Sequence, residues 1–419
     1  MSRPRSAAPA TTVAHMSGAG ADQGVAGQSP RPPAQLLAIA VAAMVVLGVV
    51  IAFALNRSTP WKRAGPPITV SAWAPYWQSD SALASFNANL GVFNEVSMFA
   101  YSTTAANSVT PYAGLDPNVP LLFQRSAAPS GIQVTASIID ATKPHEMAAI
   151  LADPASRSVH VQTIVQFVIA GGFAGVDLDY ENFAFNDGRD SWATTRPNWV
   201  AFIKELGAAM HAGGKSLTVS VPPVYDSGRT DLSGYWVYDY AAIGAVVDHI
   251  RIMAYDYSTS APGPIAPLAW VQNLVQAARS MVAPGKLVLG VPVYGYDWVV
   301  STTGVCPVDR APRRNNVSTK SAAALAASHG VTPLWDASRS ESTFSYVDKI
   351  DGVDAAGAPV SCTVNRTVWF ADAQAVHARA WLAERQDLGG ISLWSLGSDD
   401  ATSWVAVAAA RADHSTWPP

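Results

Sequence analysis

Three acidic residues alternate with large apolar ones in Val176-Asp177-Leu178-Asp179-Tyr180-Glu181. A strand points successive side chains to opposite faces, so this stretch puts Asp177, Asp179 and Glu181 on one face and Val176, Leu178 and Tyr180 on the other. Neighbouring carboxyls then stand roughly 6.6 Å apart along the strand before side-chain length is counted. Burying three of them costs several kcal/mol per ion unless they share protons or meet partners, so stability alone does not account for them. Acids held in unequal environments on one strand are what acid catalysis uses. A calcium site or a solvated edge strand are the plainer readings, and Gly171-Gly172 with the apolar segment before them favours a buried central strand.

Eight strand-like apolar runs recur, at residues 68–73, 95–101, 133–139, 173–179, 216–222, 249–255, 286–294 and 389–394. Helical patterns lie between them, clearest at 197–212, where Trp199, Phe202, Ile203, Leu206 and Met210 mark one face, and at 265–281. The first seven runs start roughly 27 to 43 residues apart, as βα units require. Eight alternating units predict an α/β fold, a (β/α)8 TIM barrel over 68–411, whose usual size of about 250 residues leaves close to a hundred for insertions. The surplus falls before the eighth strand, at about 298–368, and reads as a small α+β insertion holding both cysteines, Cys306 and Cys362. A doubly wound open sheet is the alternative, but no glycine-rich phosphate turn follows the first run. Barrel active sites lie at the C-terminal ends of the strands, which is where these acids end theirs.

A net charge of −4 over 419 residues, with pI near 6.0, excludes the electrostatic footprint of a nucleic-acid binder. Residues 1–35 are rich in Ala, Gly, Pro and Ser and read as disordered. Residues 36–55 form an uncharged apolar run long enough, at about 1.5 Å per residue, to cross a hydrocarbon core of about 30 Å. The sequence therefore predicts a single-pass anchor, a linker over 56–67 and a short tail at 412–419; the basic residues on both sides of the run do not fix its orientation, and a barrel outside the cytoplasm is expected from function rather than from charge. A cleaved signal peptide ending at Ala52-Phe53-Ala54 and a secreted protein are the alternative. A Cys306–Cys362 disulfide fits such a compartment and contributes roughly 2 to 4 kcal/mol, with two free thiols as the other possibility. No CxxC or Cys/His cluster suggests a metal.

At this point the chain resembles glycoside hydrolase family 18, whose fourth barrel strand ends in D-x-x-D-x-D-x-E. Here the motif reads Ala174-Gly175-Val176-Asp177-Leu178-Asp179-Tyr180-Glu181, with Ala174 in place of the first Asp. Met253-Ala254-Tyr255-Asp256 matches the family's M-x-Y-D on the sixth strand, Trp394 ends the eighth, and Gly290-Val291-Pro292-Val293-Tyr294-Gly295 on the seventh is similar too. Within the family, Val368-Trp369-Phe370-Ala371-Asp372, Val221-Pro222-Pro223 and Leu388-Gly389-Gly390-Ile391-Ser392-Leu393-Trp394-Ser395-Leu396-Gly397 look like the spore-germination, cortex-lytic branch, which acts on N-acetylglucosamine linkages in peptidoglycan. The Ser-x-Gly-Gly element of many chitinases is missing from the third strand, where Ala136-Ser137-Ile138-Ile139-Asp140 stands.

The resemblance implies hydrolysis of β-1,4 bonds next to N-acetylglucosamine, with retention, the substrate's own acetamido oxygen acting as nucleophile. Glu181 is then the general acid and later the base, Asp179 holds the acetamido N–H, Asp177 shares a proton or hydrogen bond with Asp179, and Tyr255 donates to the acetamido oxygen. Asp256 and Met253 contact substrate, Trp394 floors the site, and Tyr76, Trp77, Tyr294 and Trp298 stack on sugars. Taken singly, these aromatic residues are as readily packing residues, and Asp256 a turn cap. The expected partner is an N-acetylglucosamine glycan bound by a monomer, with no cofactor or metal. The alternatives are a non-catalytic glycan-binding module, favoured only by Ala174, and a wall-tethered structural protein.

Overall fold

The computed structural model of the chain describes Arg63 and residues 65–412. The expected disordered segment, the apolar run 36–55, nearly all of the linker and the tail from 413 lie outside the described residues. Among the described residues, no helix is long and apolar enough to cross a membrane.

Seven barrel strands come first: β1 (Thr69–Pro75), β2 (Glu95–Thr103), β3 (Gln133–Asp140), β4 (Gly175–Asp179), β5 (Ser216–Val221), β6 (His249–Ile252) and β7 (Leu287–Pro292), with the two-residue strand Thr110–Pro111 paired antiparallel to β2. A second group follows: β8 (Tyr294–Gly304), β9 (Asn315–Ser318), β10 (Leu334–Asp336), β11 (Glu341–Val353) and β12 (Pro359–Phe370). The last is β13 (Gly390–Trp394). Strands β1 to β7 pair in parallel with their neighbours, and β13 pairs with both β7 and β1, which closes an eight-stranded barrel. The two faces of a parallel barrel strand meet the interior and the helices, so the strands read as continuous apolar runs. Every residue of β4 and β7 is buried.

The helices depart from the sequence reading at their ends. The helix expected at 197–212 runs from Trp192 to Ala212 and tolerates Pro197 inside it, while Trp199, Phe202, Ile203, Leu206 and Met210 are buried as their spacing predicts. The helix expected from 265 starts at Leu268. Before it, the backbone N–H groups of Ile265 and Ala266 donate instead to the two oxygens of Glu341, at 2.7 and 2.6 Å. Glu341 also pairs with Arg379 at 2.9 Å, both side chains fully buried, so this ion pair clips β11 onto the barrel and its helix Ala373–Arg385.

Between β7 and β13 the chain forms a five-stranded antiparallel sheet in the order β9-β8-β12-β11-β10. It starts at Tyr294, earlier than the sequence suggests, because β8 leaves the barrel almost directly from β7. Helix Thr319–Ser328 packs on it over Val317, Phe344, Tyr346, Val368 and Phe370. Gly295 is needed where β8 meets β12, since a Cβ there would lie 2.0 Å from the Trp369 carbonyl. Cys306 and Cys362 are disulfide-bonded across 56 residues of this region.

Candidate active site

The interior of the barrel around β4 is lined by small hydroxyl residues, Ser71, Ser97, Ser137 and Ser220, all buried. They leave room and donors for two charged groups. Asp177 is fully buried, and one of its oxygens accepts from Trp73 Nε1 (2.7 Å), Ser137 Oγ (3.1 Å) and Arg251 Nη1 (2.9 Å). Its other oxygen accepts from Ser220 Oγ at 2.6 Å. Arg251, on β6, is 1% exposed; it also donates to Ser97 Oγ (2.9 Å) and to Glu95 Oε1 (2.6 Å), and lies 4.9 Å from the Trp73 ring centroid. The hydrogen bonds of Asp177 thus go to β1, β3, β5 and β6, and none of these partners is Asp179, the one expected from the motif.

Asp179, two residues on, is 5% exposed, and its Oδ1 is buried without a hydrogen bond. Burial first, then the charges of Glu181 and Asp177, hold its pKa well above the usual carboxylate range, with Arg251 pulling the other way. Glu181 follows the end of β4, opens the short helix Asn182–Phe185 and is half-buried. Burial and the nearby charge of Asp256 push its carboxyl up to about 7. Tyr255 is half-buried, and burial together with Asp179 and Glu181 raises its hydroxyl far above 10, so it remains a donor at any working pH. Its ring needs Gly290, because a Cβ there would come within 3.0 Å of it and 2.5 Å of the Ile252 carbonyl. Asp256 takes a left-handed backbone (φ 58°) and accepts from the hydroxyls of Tyr294 (2.5 Å) and Tyr296 (2.6 Å). Trp394 ends β13 half-buried, edge-on to Phe99 (4.9 Å) and Trp73 (5.5 Å).

Asp179, Glu181, Met253, Tyr255, Asp256 and Trp394 line one cleft of about 630 Å³ at the C-terminal mouth of the barrel. A second depression shares Asp256 and Trp394 with it and is walled by Trp77, Tyr294, Tyr296 and Asn316, so β8 and β9 extend the groove. Two of the expected aromatic residues line neither. Tyr76 stacks on Tyr112, ring centroids 4.7 Å apart. Trp298 shares the β8 face of Tyr294 and Tyr296 but lies further along it, 6% exposed, packed on Tyr296 with Arg314 over its ring. Ala174 precedes β4, has the opposite strand parity to Asp177 and is not among the residues that line the cleft. Among the described residues, no group of three or more His, Cys, Asp or Glu is placed to hold a metal ion.

Sequence reasoning missed Arg251, although a lone cation in the alternating run His249-Ile250-Arg251-Ile252 signals a buried charge in need of a carboxylate. It also missed Phe99, Tyr225, Tyr235 and Trp270 in the cleft wall, for which no spacing rule gives a signal.

A closed parallel barrel with graded carboxyls at its C-terminal mouth defines a hydrolase-type site, and the chain belongs to glycosyl hydrolases family 18, whose family model it matches over residues 71–399. It is similar to the cortical fragment-lytic enzyme of Bacillus anthracis, with 26% identity over 257 residues, 61% of this chain and 54% of that protein. Its fold is similar to that of a chitinase from Chromobacterium violaceum (TM-score 0.67, 28% identity, 83% of this chain and 99% of that one). The spore cortex-lytic enzyme SleL of Bacillus cereus shares the fold with TM-score 0.65 and 20% identity, over 82% of this chain and 75% of that one. The chain spans about half the length of the curated relatives it matches.

Proposed function

We propose that the chain is a glycosidase that hydrolyses β-1,4 bonds next to N-acetylglucosamine, in peptidoglycan or chitin-like glycans, by a substrate-assisted retaining mechanism. The observation that carries this reading is the grading of two carboxyls that line one cleft: Asp179 buried with its pKa raised well above the usual carboxylate range, Glu181 half-buried with its carboxyl pushed up to about 7.

A sugar resting on Trp394 presents its acetamido group between Asp179 and Tyr255. Glu181 gives its proton to the glycosidic oxygen as the bond to the anomeric carbon breaks, and the acetamido oxygen closes on that carbon. Tyr255 donates to this oxygen and Asp179 faces the acetamido nitrogen, where positive charge develops. Glu181, now a carboxylate, takes a proton from water as water opens the ring, and regains its starting state. Asp256, held by Tyr294 and Tyr296, stands near Glu181, and this neighbour adds to burial in raising the Glu181 carboxyl. The family resemblance supports this reading, and the cortex-lytic relatives support peptidoglycan as the polymer. The apolar run 36–55 and the Cys306–Cys362 disulfide favour a membrane-anchored enzyme working outside the cytoplasm.

The test is product release from N-acetylglucosamine oligomers and from purified peptidoglycan by the full chain. Hydrolysis of either supports the reading. Binding of both without cleavage overturns it in favour of a glycan-binding protein.

A further inference from the structure

We propose that a side pocket lined by Arg189, opening off the cleft beside Glu181, takes a carboxylate-bearing branch of the sugar on the leaving side of the bond. The inference rests on the glycosidase reading and deepens it, because it makes the substrate a glycan with anionic branches, as peptidoglycan is and chitin is not.

The pocket begins where the rings of Phe185 and Tyr235 bound the main cleft. Both rings line that cleft together with Glu181, and both also line a separate depression of about 350 Å³. That volume is in the range that holds a small ligand. The two rings meet edge to face, centroids 5.2 Å apart, and form the partition between the two spaces. Phe185 ends the short helix that Glu181 opens and is 47% exposed, an aromatic face left open for contact. Burial raises the Tyr235 hydroxyl, and Arg189 and Glu181 act on it with opposite sign, so this ring has the cation and the acid as neighbours.

The rest of the pocket is built around the cation. Trp192 is 1% exposed, tied by its Nε1 to the Ala184 carbonyl at 3.2 Å, and the Arg189 guanidinium lies 4.7 Å from its ring centroid. Arg189 Nη2 donates to the Gly234 carbonyl at 2.8 Å, which fixes the fork from behind. Its Nη1 donates to the Asp231 carbonyl (3.3 Å) and Oδ1 (3.1 Å), but the Asp231 side chain is 93% exposed. An ion pair this open to water is worth about 0 to 1 kcal/mol, so a carboxylate delivered by bound substrate displaces it at little cost. The main cleft offers an anion no such place: Asp179, Glu181 and Asp256 line it, and no Lys or Arg does.

The position also fits the chemistry of the bond. In a β-1,4 glycan the oxygen that Glu181 protonates is O4 of the leaving sugar, so a branch on the adjacent carbon, C3, emerges beside the acid. In peptidoglycan, C3 of alternate sugars carries a lactyl ether whose carboxyl is free or joined to a peptide that has carboxylates of its own. Chitin has only a hydroxyl there. The planar guanidinium fork of Arg189 matches a carboxylate from either source.

The test uses the full chain on three substrates: an N-acetylglucosamine oligomer, peptidoglycan strands stripped of peptides by an amidase so that the lactyl carboxylate is free, and soluble fragments that keep their peptides. Wild type should cleave at least one branched substrate with kcat/KM about tenfold or more above that for the oligomer. Preference for the stripped strands assigns the lactyl carboxylate, and preference for the intact fragments assigns a peptide carboxylate. In Arg189→Gln the ratio of branched to unbranched kcat/KM should fall about tenfold, mostly through KM. A wild type without preference, or a ratio that Arg189→Gln leaves unchanged, overturns the proposal. Amidating the carboxylates of the preferred substrate needs no variant: the preference should vanish, and a preference that survives overturns the proposal even if Arg189→Gln fails to fold. A wild type inactive on all three substrates defeats the glycosidase reading, and calorimetric binding of the two branched substrates then decides the pocket: weaker binding by Arg189→Gln supports it, and equal binding overturns it.

Discussion

Asp177 and Glu181 stand on the same face of one short stretch of chain, four residues apart, and the protein treats them in opposite ways. Asp177 sits in the barrel interior with four donors, one of them an arginine, and no solvent. Glu181 stands at the mouth, half-buried near Asp256, with its carboxyl pushed up to about 7. The residue types nearly coincide, so environment decides the role: partners from four strands make one carboxyl a fixed part of the scaffold, and their lack makes the other an acid that can exchange its proton. Asp179 lies between them in position and in character.

The most direct way to break this contrast is to remove the titrating member. Glu181→Gln keeps shape and burial but carries no proton to give, and should lower kcat about 10³-fold on an N-acetylglucosamine oligomer, with the fold intact by circular dichroism. Turnover within tenfold of wild type would place the acid elsewhere. Tyr255→Phe should lower kcat about 10²-fold with little change in KM, because it deletes one donor that acts on the developing oxazolinium oxygen. A loss confined to KM would instead make Tyr255 a binding residue.

The smallest expected effect sharpens the comparison on the side of stability. A carboxyl raised from 4.5 to about 7 by folding contributes stability that is fully present below pH 4.5 and is lost as pH rises through 7. Glu181→Gln no longer titrates, so its melting temperature should gain on wild type between pH 4.5 and pH 8 by a few degrees, equivalent to roughly 2 to 3 kcal/mol. Melting temperatures that run parallel across this range would show that Glu181 is not held up by its surroundings.

What could be read from the sequence follows from what kind of interaction carries each feature. Barrel strands are apolar on both faces, so they stand out as runs, and the period-two spacing of Asp177, Asp179 and Glu181 announces a shared face without any knowledge of neighbours. Element ends were less legible: the helix begins at Trp192 rather than at Pro197, and β6 stops at Ile252 before the chain turns at Asp256. The Arg251–Asp177 bond joins residues 74 apart, and only the closed barrel brings them together. Tyr76 follows the end of β1 and stacks on Tyr112, while Trp298 lies inside β8 and packs within the second sheet, since the spacing of the apolar runs shows neither which way a ring turns after a strand nor where the second sheet begins. The reach of β8 and β9 into the groove is likewise a matter of tertiary placement.

The measurement that tests the central claim most directly is the pH dependence of kcat/KM for the wild-type chain on an N-acetylglucosamine oligomer. Glu181 as the protonated acid predicts activity that is sustained below neutrality and falls tenfold per pH unit above an apparent pKa near 7. A profile that stays flat to pH 9 would contradict the account, because the cleft would then be working without the proton that its geometry is built to hold.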